Sequence, residues 1–229
     1  MVMPLVELSI AAATFVGTHF LLSHPLRAAL VARLGEKGFA GLYAVVALAS
    51  MAWMAHAFRA VPPGEGPLWD GTGNGIWGLA SVLMLLAAVL MVGSLRGNPA
   101  LPDPRAGQLA KAPVRGVFHI TRHPMMWAFA LWSLSHALVA ATPRVLILTA
   151  AIAVLALVGA ALQDRKKAAQ MGSDWQDWAS RTHFWPRPDG LLRAGAVAWL
   201  GGGVLWLVAT WAHIPLAYVP AGLWRWIAA

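Results

Sequence analysis

The sequence predicts an all-α membrane protein, a polytopic bundle of about six transmembrane helices forming one integral membrane domain over residues 1–229. Three observations carry this reading. Hydrophobic residues make up 59% of the chain and charged residues 11%, against about 25% charged in an average soluble domain. Mean hydropathy is +0.63. The apolar residues also fall into runs near 4–23, 39–59, 75–95, 125–142, 144–163 and 195–214, each close to the roughly 20 residues that cross a bilayer as a helix. A soluble fold of this size could not cover its surface with so few charges, and a disordered chain would not be this apolar. The sequence has no glycine period, no heptad charge pattern and no cysteine. That removes collagen, coiled coil, disulfide scaffold, thiolate metal sites and thiol nucleophiles.

The first run, Leu5–Leu22, contains Glu7 and His19 and has no basic stretch before it, so it reads as a retained span rather than a cleaved signal. The connection His24–Gly38 carries Arg27, Arg33 and Lys37. The next, Ala60–Asn74, is rich in Gly and Pro and carries Glu65 and Asp70. The third, Arg96–Pro124, holds Arg96, Arg105, Lys111, Arg115 and Arg122. The fourth is the tight Thr142-Pro143-Arg144. The fifth, Asp164–Ala194, holds Arg165, Lys166, Lys167, Arg181, Arg187 and Arg193. Fourteen of the 17 basic residues therefore sit on connections one, three and five. Basic residues gather on cytoplasmic loops, so those connections are expected in the cytoplasm and both termini outside. The net charge of +8 follows from the same asymmetry and calls for no nucleic-acid partner. Gln163–Ser180 reads as a helix leaving the membrane, broken at Met171-Gly172, with Trp175 and Trp178 dipping into the headgroup layer. Trp199, Trp206, Trp211, Trp224 and Trp226 suit an interfacial belt.

Polar groups inside spans need a reason. His19 lies in span one and His136 in span four. An imidazole in an apolar bundle must satisfy two nitrogens, by hydrogen bonds or by a metal. Two readings stand: hydrogen bonds across helices to Ser or Thr, or axial ligation of a haem b iron by imidazoles from facing helices. His19 is roughly 6–9 Å from the cytoplasmic helix end and His136 roughly 16 Å in. A shared iron would need a tilted macrocycle or shifted helix ends. His119 and His123 are spaced i, i+4, but Pro124 disfavours helical geometry at His123; contact with headgroups is the plainer reading there. Glu7 marks the outer interface of span one. No Gly-x-Ser-x-Gly elbow, phosphate loop or dinucleotide fingerprint occurs.

Three stretches, Gly17-Thr18-His19-Phe20-Leu21-Leu22-Ser23-His24-Pro25-Leu26-Arg27, Ile120-Thr121-Arg122-His123-Pro124-Met125-Met126 and Leu131-Trp132-Ser133-Leu134-Ser135-His136, resemble the NnrU family. That family is associated with bacterial denitrification gene clusters and is similar to plant and cyanobacterial 15-cis-ζ-carotene isomerase, a membrane enzyme that uses haem b. The resemblance covers about residues 5–215. It implies a bacterial inner (cytoplasmic) membrane protein holding haem b, with His19 and His136 as axial iron ligands and Arg122 or another cytoplasmic Arg pairing the propionates. It further implies a redox-dependent cis–trans isomerase acting on a carotenoid or other apolar polyene or lipid. The sequence departs from the plant enzyme at Ser133, where that enzyme has a cysteine implicated as an alternative ligand.

Arg122-His123-Pro124 before one span, with Asp164, Gly172, Trp175 and Trp178 after the next, also resembles isoprenylcysteine carboxyl methyltransferases and sterol reductases. That likeness implies S-adenosylmethionine or NADPH at the cytoplasmic face, held among Arg122, His123, Asp164, Arg165 and Trp175. Here Gln163-Asp164 stands where the usual pair of acids would be. A third reading, from a different class, is a non-enzymatic assembly partner of a respiratory nitrogen-oxide enzyme.

Overall fold

The computed structural model describes residues 2–62 and 66–227, so Glu65 of the second connection lies outside the described residues. Helices α1 (Val2–Ser23), α2 (Arg27–Ala60), α3 (Asn74–Ser94), α5 (Pro124–Val139), α6 (Pro143–Met171) and α8 (Ala196–Ala217) match the six apolar runs. Between them lie the short helices α4 (Ala106–Lys111) and α7 (Ser173–Arg181), with α9 (Trp224–Ile227) closing the described chain. Short 3₁₀ segments occupy Gly116–His119 and Pro188–Arg193. No strand occurs among the described residues. Five helices are long and apolar enough to cross a membrane, and α5, with 16 residues, is a shorter apolar one.

Local chemistry sets the ends. Pro124 and Pro143 stand at the first turns of α5 and α6, where a missing N–H costs nothing. α6 has 29 residues, roughly 43 Å of helix, against a hydrocarbon core of about 30 Å. Its last turns, from Asp164 through Lys167, therefore project beyond the apolar stretch, until Gly172 at φ 55° ends the helix. The first connection is shorter than its composition suggested. Arg27–Leu34 is already helical, because Ala, Leu and Arg are strong helix formers. Gly35, at φ 69° and ψ 169°, breaks this piece from the rest of α2.

The large helices pack in the order α2, α1, α6, α5, α3, α8. Connections one, three and five gather at one end, called here the basic end. Residues 61–73, 140–142 and the segment after α8 lie at the opposite end. Leu8, Ala11, Ala12 and Phe15 of α1 meet Met54 and Ala57 of α2 and Ala151 of α6. Small residues let backbones approach where lipid supplies no hydrophobic drive between helices. The tightest such contact joins α8 to α3: a Cβ on Gly202 would lie 2.6 Å from Val89 Cα.

The basic end is an ordered cap. Trp175 and Trp178 of α7, each 2% exposed, pack with Ala100, Ala110 and Phe118. The expectation that they enter the headgroup layer is corrected: the third connection supplies an apolar partner within the protein. Gln163 and Lys167 on the α6 extension donate to the carbonyls of Ala100 and Leu101 (2.9 and 3.2 Å) and hold that connection in place.

Gly202→Ala should lower the detergent melting temperature, since overpacking against a rigid backbone costs about 1–3 kcal/mol. At Gly203 a Cβ meets nothing within 4 Å, so Gly203→Ala should leave the melt unchanged or raise it. Equal melts for the two variants would contradict this account of the α3–α8 contact.

Candidate functional site

Two clusters of ionisable side chains sit at opposite ends of α5. The first is built around an apolar cavity of about 590 Å³ walled by α3, α5 and α8 and roofed by Val219, Ala221 and Gly222. His136 and His213 both line it. His136 lies three residues before the end of α5 and His213 four before the end of α8, so the two share a depth near the opposite end. Their ring centroids are 6.1 Å apart with planes inclined by 31°.

Each ring is fixed by its own helix. Nδ1–H of His136 donates to the Trp132 carbonyl at 2.8 Å, and Nδ1–H of His213 to the Ala209 carbonyl at 2.8 Å. A carbonyl accepts only, so in each neutral ring the proton sits on Nδ1 and Nε2 carries the lone pair. Among the described residues neither Nε2 has a hydrogen-bond partner. Trp132 stacks on His136 with centroids 4.1 Å apart. Trp206, expected in an interfacial belt, instead lines the cavity, and its indole Nε1 is buried without a partner. Arg225 lies over the ring of the cavity residue Trp77 (4.4 Å) and donates through Nη2 to the Thr72 carbonyl, while its Nε is buried and unpartnered.

His19 is elsewhere. It lies four residues from the basic end of α1, its Nδ1 donates to the Phe15 carbonyl at 2.6 Å, and its ring sits against Phe15 and against Tyr43 of α2. α1 contributes no residue to the cavity wall. The structure thus brings His136 together with His213 and not with His19. The sequence places His213, like His136, toward the outer half of its span but does not pair the two; their common level appears only because α5 ends at Val139, short of the end of its apolar run.

The second cluster joins Arg122, His123 and Asp164, the residues of the Arg-His-Pro motif and of the following acid. Pro124 holds His123 outside the helix at φ −117° and ψ 54°. Its Nε2–H donates to Asp164 Oδ1 at 2.7 Å, and the Arg122 Nε–H donates to the same carboxylate at 3.0 Å. Phe184 packs on both, with its ring 5.4 Å from the His123 ring and 5.5 Å from the Arg122 guanidinium carbon. The Phe184 segment is tied down in turn: its carbonyl accepts from Thr121 Oγ1 and Trp127 Nε1, and the Arg122 N–H donates to the His183 carbonyl. Burial opposes ionisation of Asp164, but the hydrogen bonds from His123 and Arg122 outweigh it and hold its carboxyl at about 2. His123 is buried, and its Nδ1 has no partner. Arg122 and Asp164 are turned on one another, which makes the cluster a tie between the start of α5 and the α6 extension. Arg165 points to a different groove, beside His24 and Lys166. His119 sits on the neighbouring 3₁₀ turn, where a Cβ on Gly190 would lie 2.5 Å from its carbonyl carbon.

The Arg122–Asp164 pair is only partly buried, so Asp164→Ala, which leaves its donors without an acceptor, should cost about 1–3 kcal/mol of stability in detergent. The folded carboxyl titrates below its unfolded value, so its contribution is complete above about pH 4 and is lost as pH falls toward about 2. Melts of the wild type across that range should show a drop on the order of 2 kcal/mol that Asp164→Ala lacks; parallel curves would contradict the tie.

Among the described residues, no group of three or more His, Cys, Asp or Glu side chains is placed to hold a metal ion. Two imidazoles can serve an iron only where other donors complete its shell, as the four nitrogens of a porphyrin do. Comparison with known proteins found no curated protein and no solved structure that matches. The family model described as NnrU protein matches residues 7–221. The chain belongs to the NnrU family.

Proposed function

We propose that this protein binds haem b in the α3–α5–α8 cavity, with His136 and His213 as the imidazole ligands, and acts as a redox-dependent isomerase on an apolar polyene or related lipid. The observation that supports it most is the His136–His213 pair, at one depth, with both Nε2 lone pairs free and ring centroids 6.1 Å apart. Both rings line one apolar space and would hold the haem iron through Nε2. The apolar wall suits a macrocycle and excludes water. Haem iron, when bound, supplies a one-electron couple and a Lewis acid.

The chain's own residues then have defined tasks. The Trp132 and Ala209 carbonyls fix the tautomers and raise the basicity of the two ligands. Trp206 Nε1 and Arg225 Nε are unused donors at the cavity and its rim, and Arg225 is the guanidinium suited to a cofactor carboxylate. Arg122, expected in that task, is spent on Asp164 at the other end of α5. With the basic end in the cytoplasm of a bacterial inner membrane, the cavity lies in the outer half of the bilayer. A role in denitrification would draw on the same electron-transfer chemistry.

Detergent-purified protein should show a Soret band and a haem b spectrum on dithionite reduction. His136→Ala and His213→Ala should each lower haem occupancy at least tenfold, because even loss of an outer partner of a metal ligand costs about 10–100-fold in affinity. His19→Ala should retain the band, with all three variants checked for an intact melt. No band in the wild type would overturn the haem reading. Loss of the band in His19→Ala but not in His213→Ala would overturn the assignment of the second ligand.

A further inference from the structure

A second open site lies at the basic end, on the far side of α6 from the His136 cavity. It is a groove of about 660 Å³ between the α1–α2 connection and the α6 extension. Its apolar part is made by Phe20, Leu21 and Leu162, and its rim by His24, Arg165 and Lys166. Arg27, which also lines it, is paired with Glu36 at 2.9 Å. Among the described residues, His24, Arg165 and Lys166 have no carboxylate partner. These cations crowd one another. Burial and then the Lys166 ammonium push the His24 imidazole below its ordinary range, and burial and then the Arg27 guanidinium push Lys166 down. Folding has therefore collected like charges around a cleft that opens onto apolar helix surface, and among the described residues Glu36 relieves only Arg27.

We propose that this groove is a binding site for the phosphate headgroup of an anionic phospholipid, whose acyl chains run along Phe20, Leu21 and Leu162. The charge arrangement and the apolar floor each select part of that ligand. Arg165 and Lys166 sit on consecutive residues of a helix that has just left the apolar stretch, which sets them at headgroup level. Ser23 and His24 close the other side at the turn after α1. A zwitterionic lipid brings a choline cation into the same cluster and gains less. Free phosphate matches the charge but leaves the apolar floor uncovered. The site stands independently of the haem reading, since it shares no residue with the His136 cavity.

The full chain, in nanodiscs of phosphatidylcholine with increasing phosphatidylglycerol, tests this by native mass spectrometry of retained lipid and by thermal melts. Phosphatidylglycerol should be retained in preference to phosphatidylcholine and should raise the melting temperature. A basic residue at a membrane surface contributes about fivefold to anionic-lipid binding, so Arg165→Gln and Lys166→Gln should each weaken the preference about fivefold. Arg193→Gln, an exposed cation outside the groove, should leave the preference unchanged and controls for net charge. Equal retention of both lipids, or equal loss in Arg193→Gln and Lys166→Gln, would overturn the proposal. Stabilisation by inorganic phosphate alone, matching that by phosphatidylglycerol, would overturn the lipid as its ligand.

Discussion

Inside a bilayer a polar group cannot turn to water, so each one must find a partner within the protein. That constraint organises this molecule more than any single contact. The histidines His19, His136 and His213 all meet half of it in the same way, donating from Nδ1 to the carbonyl four residues earlier. Ser50, Thr149 and Thr210 bond back to their own helices in the same register. A hydroxyl is then largely satisfied, whereas an imidazole still has Nε2 to place. Two of these leftover nitrogens belong to one cavity, and the third lies near the other end of the bundle beside Tyr43. The chemistry assigned to the chain grows out of that remainder.

The two ends of α5 divide the work. At its start, non-helical His123 and Arg122 converge on Asp164, with Phe184 packed on both, so α5 is anchored to α6 by a carboxylate that accepts from three nitrogen donors. At its other end, residues 66–73 cover the helix terminus, with Leu68 N–H and Trp69 Nε1–H donating to the carbonyls of Ala141 and Leu138. The helix is thereby fixed at both ends while one face, carrying Trp132 and His136, stays open to the cavity. A short helix held in this way suits a ligand site better than a long one held by lipid-facing packing alone.

The spans were legible because hydropathy and length are local properties, and all six apolar runs became helices. The Arg122, His123 and Asp164 grouping was legible only through motif likeness, since the contact closes over 42 residues of sequence. What sequence could not supply was the lateral order of the helices. Pairing His19 with His136 presumes that α1 faces α5, whereas α6 packs against both. Trp175 and Trp178 misled for a related reason: an amphipathic stretch near a membrane looks the same whether its apolar face meets headgroups or, as here, Phe118 and Ala110. His213 shared only its half of the bilayer with His136 in the sequence; the two reach one level because α5 ends at Val139, which its apolar run did not show.

Haem binding by His136 and His213 is the proposal on which the assigned chemistry rests. Anomalous diffraction at the iron edge, on crystals of the protein purified from its native membrane, tests it most directly. The account predicts a single peak within about 2 Å of both Nε2 atoms. A map with no iron in that cavity, or with iron bound at His19, would contradict it.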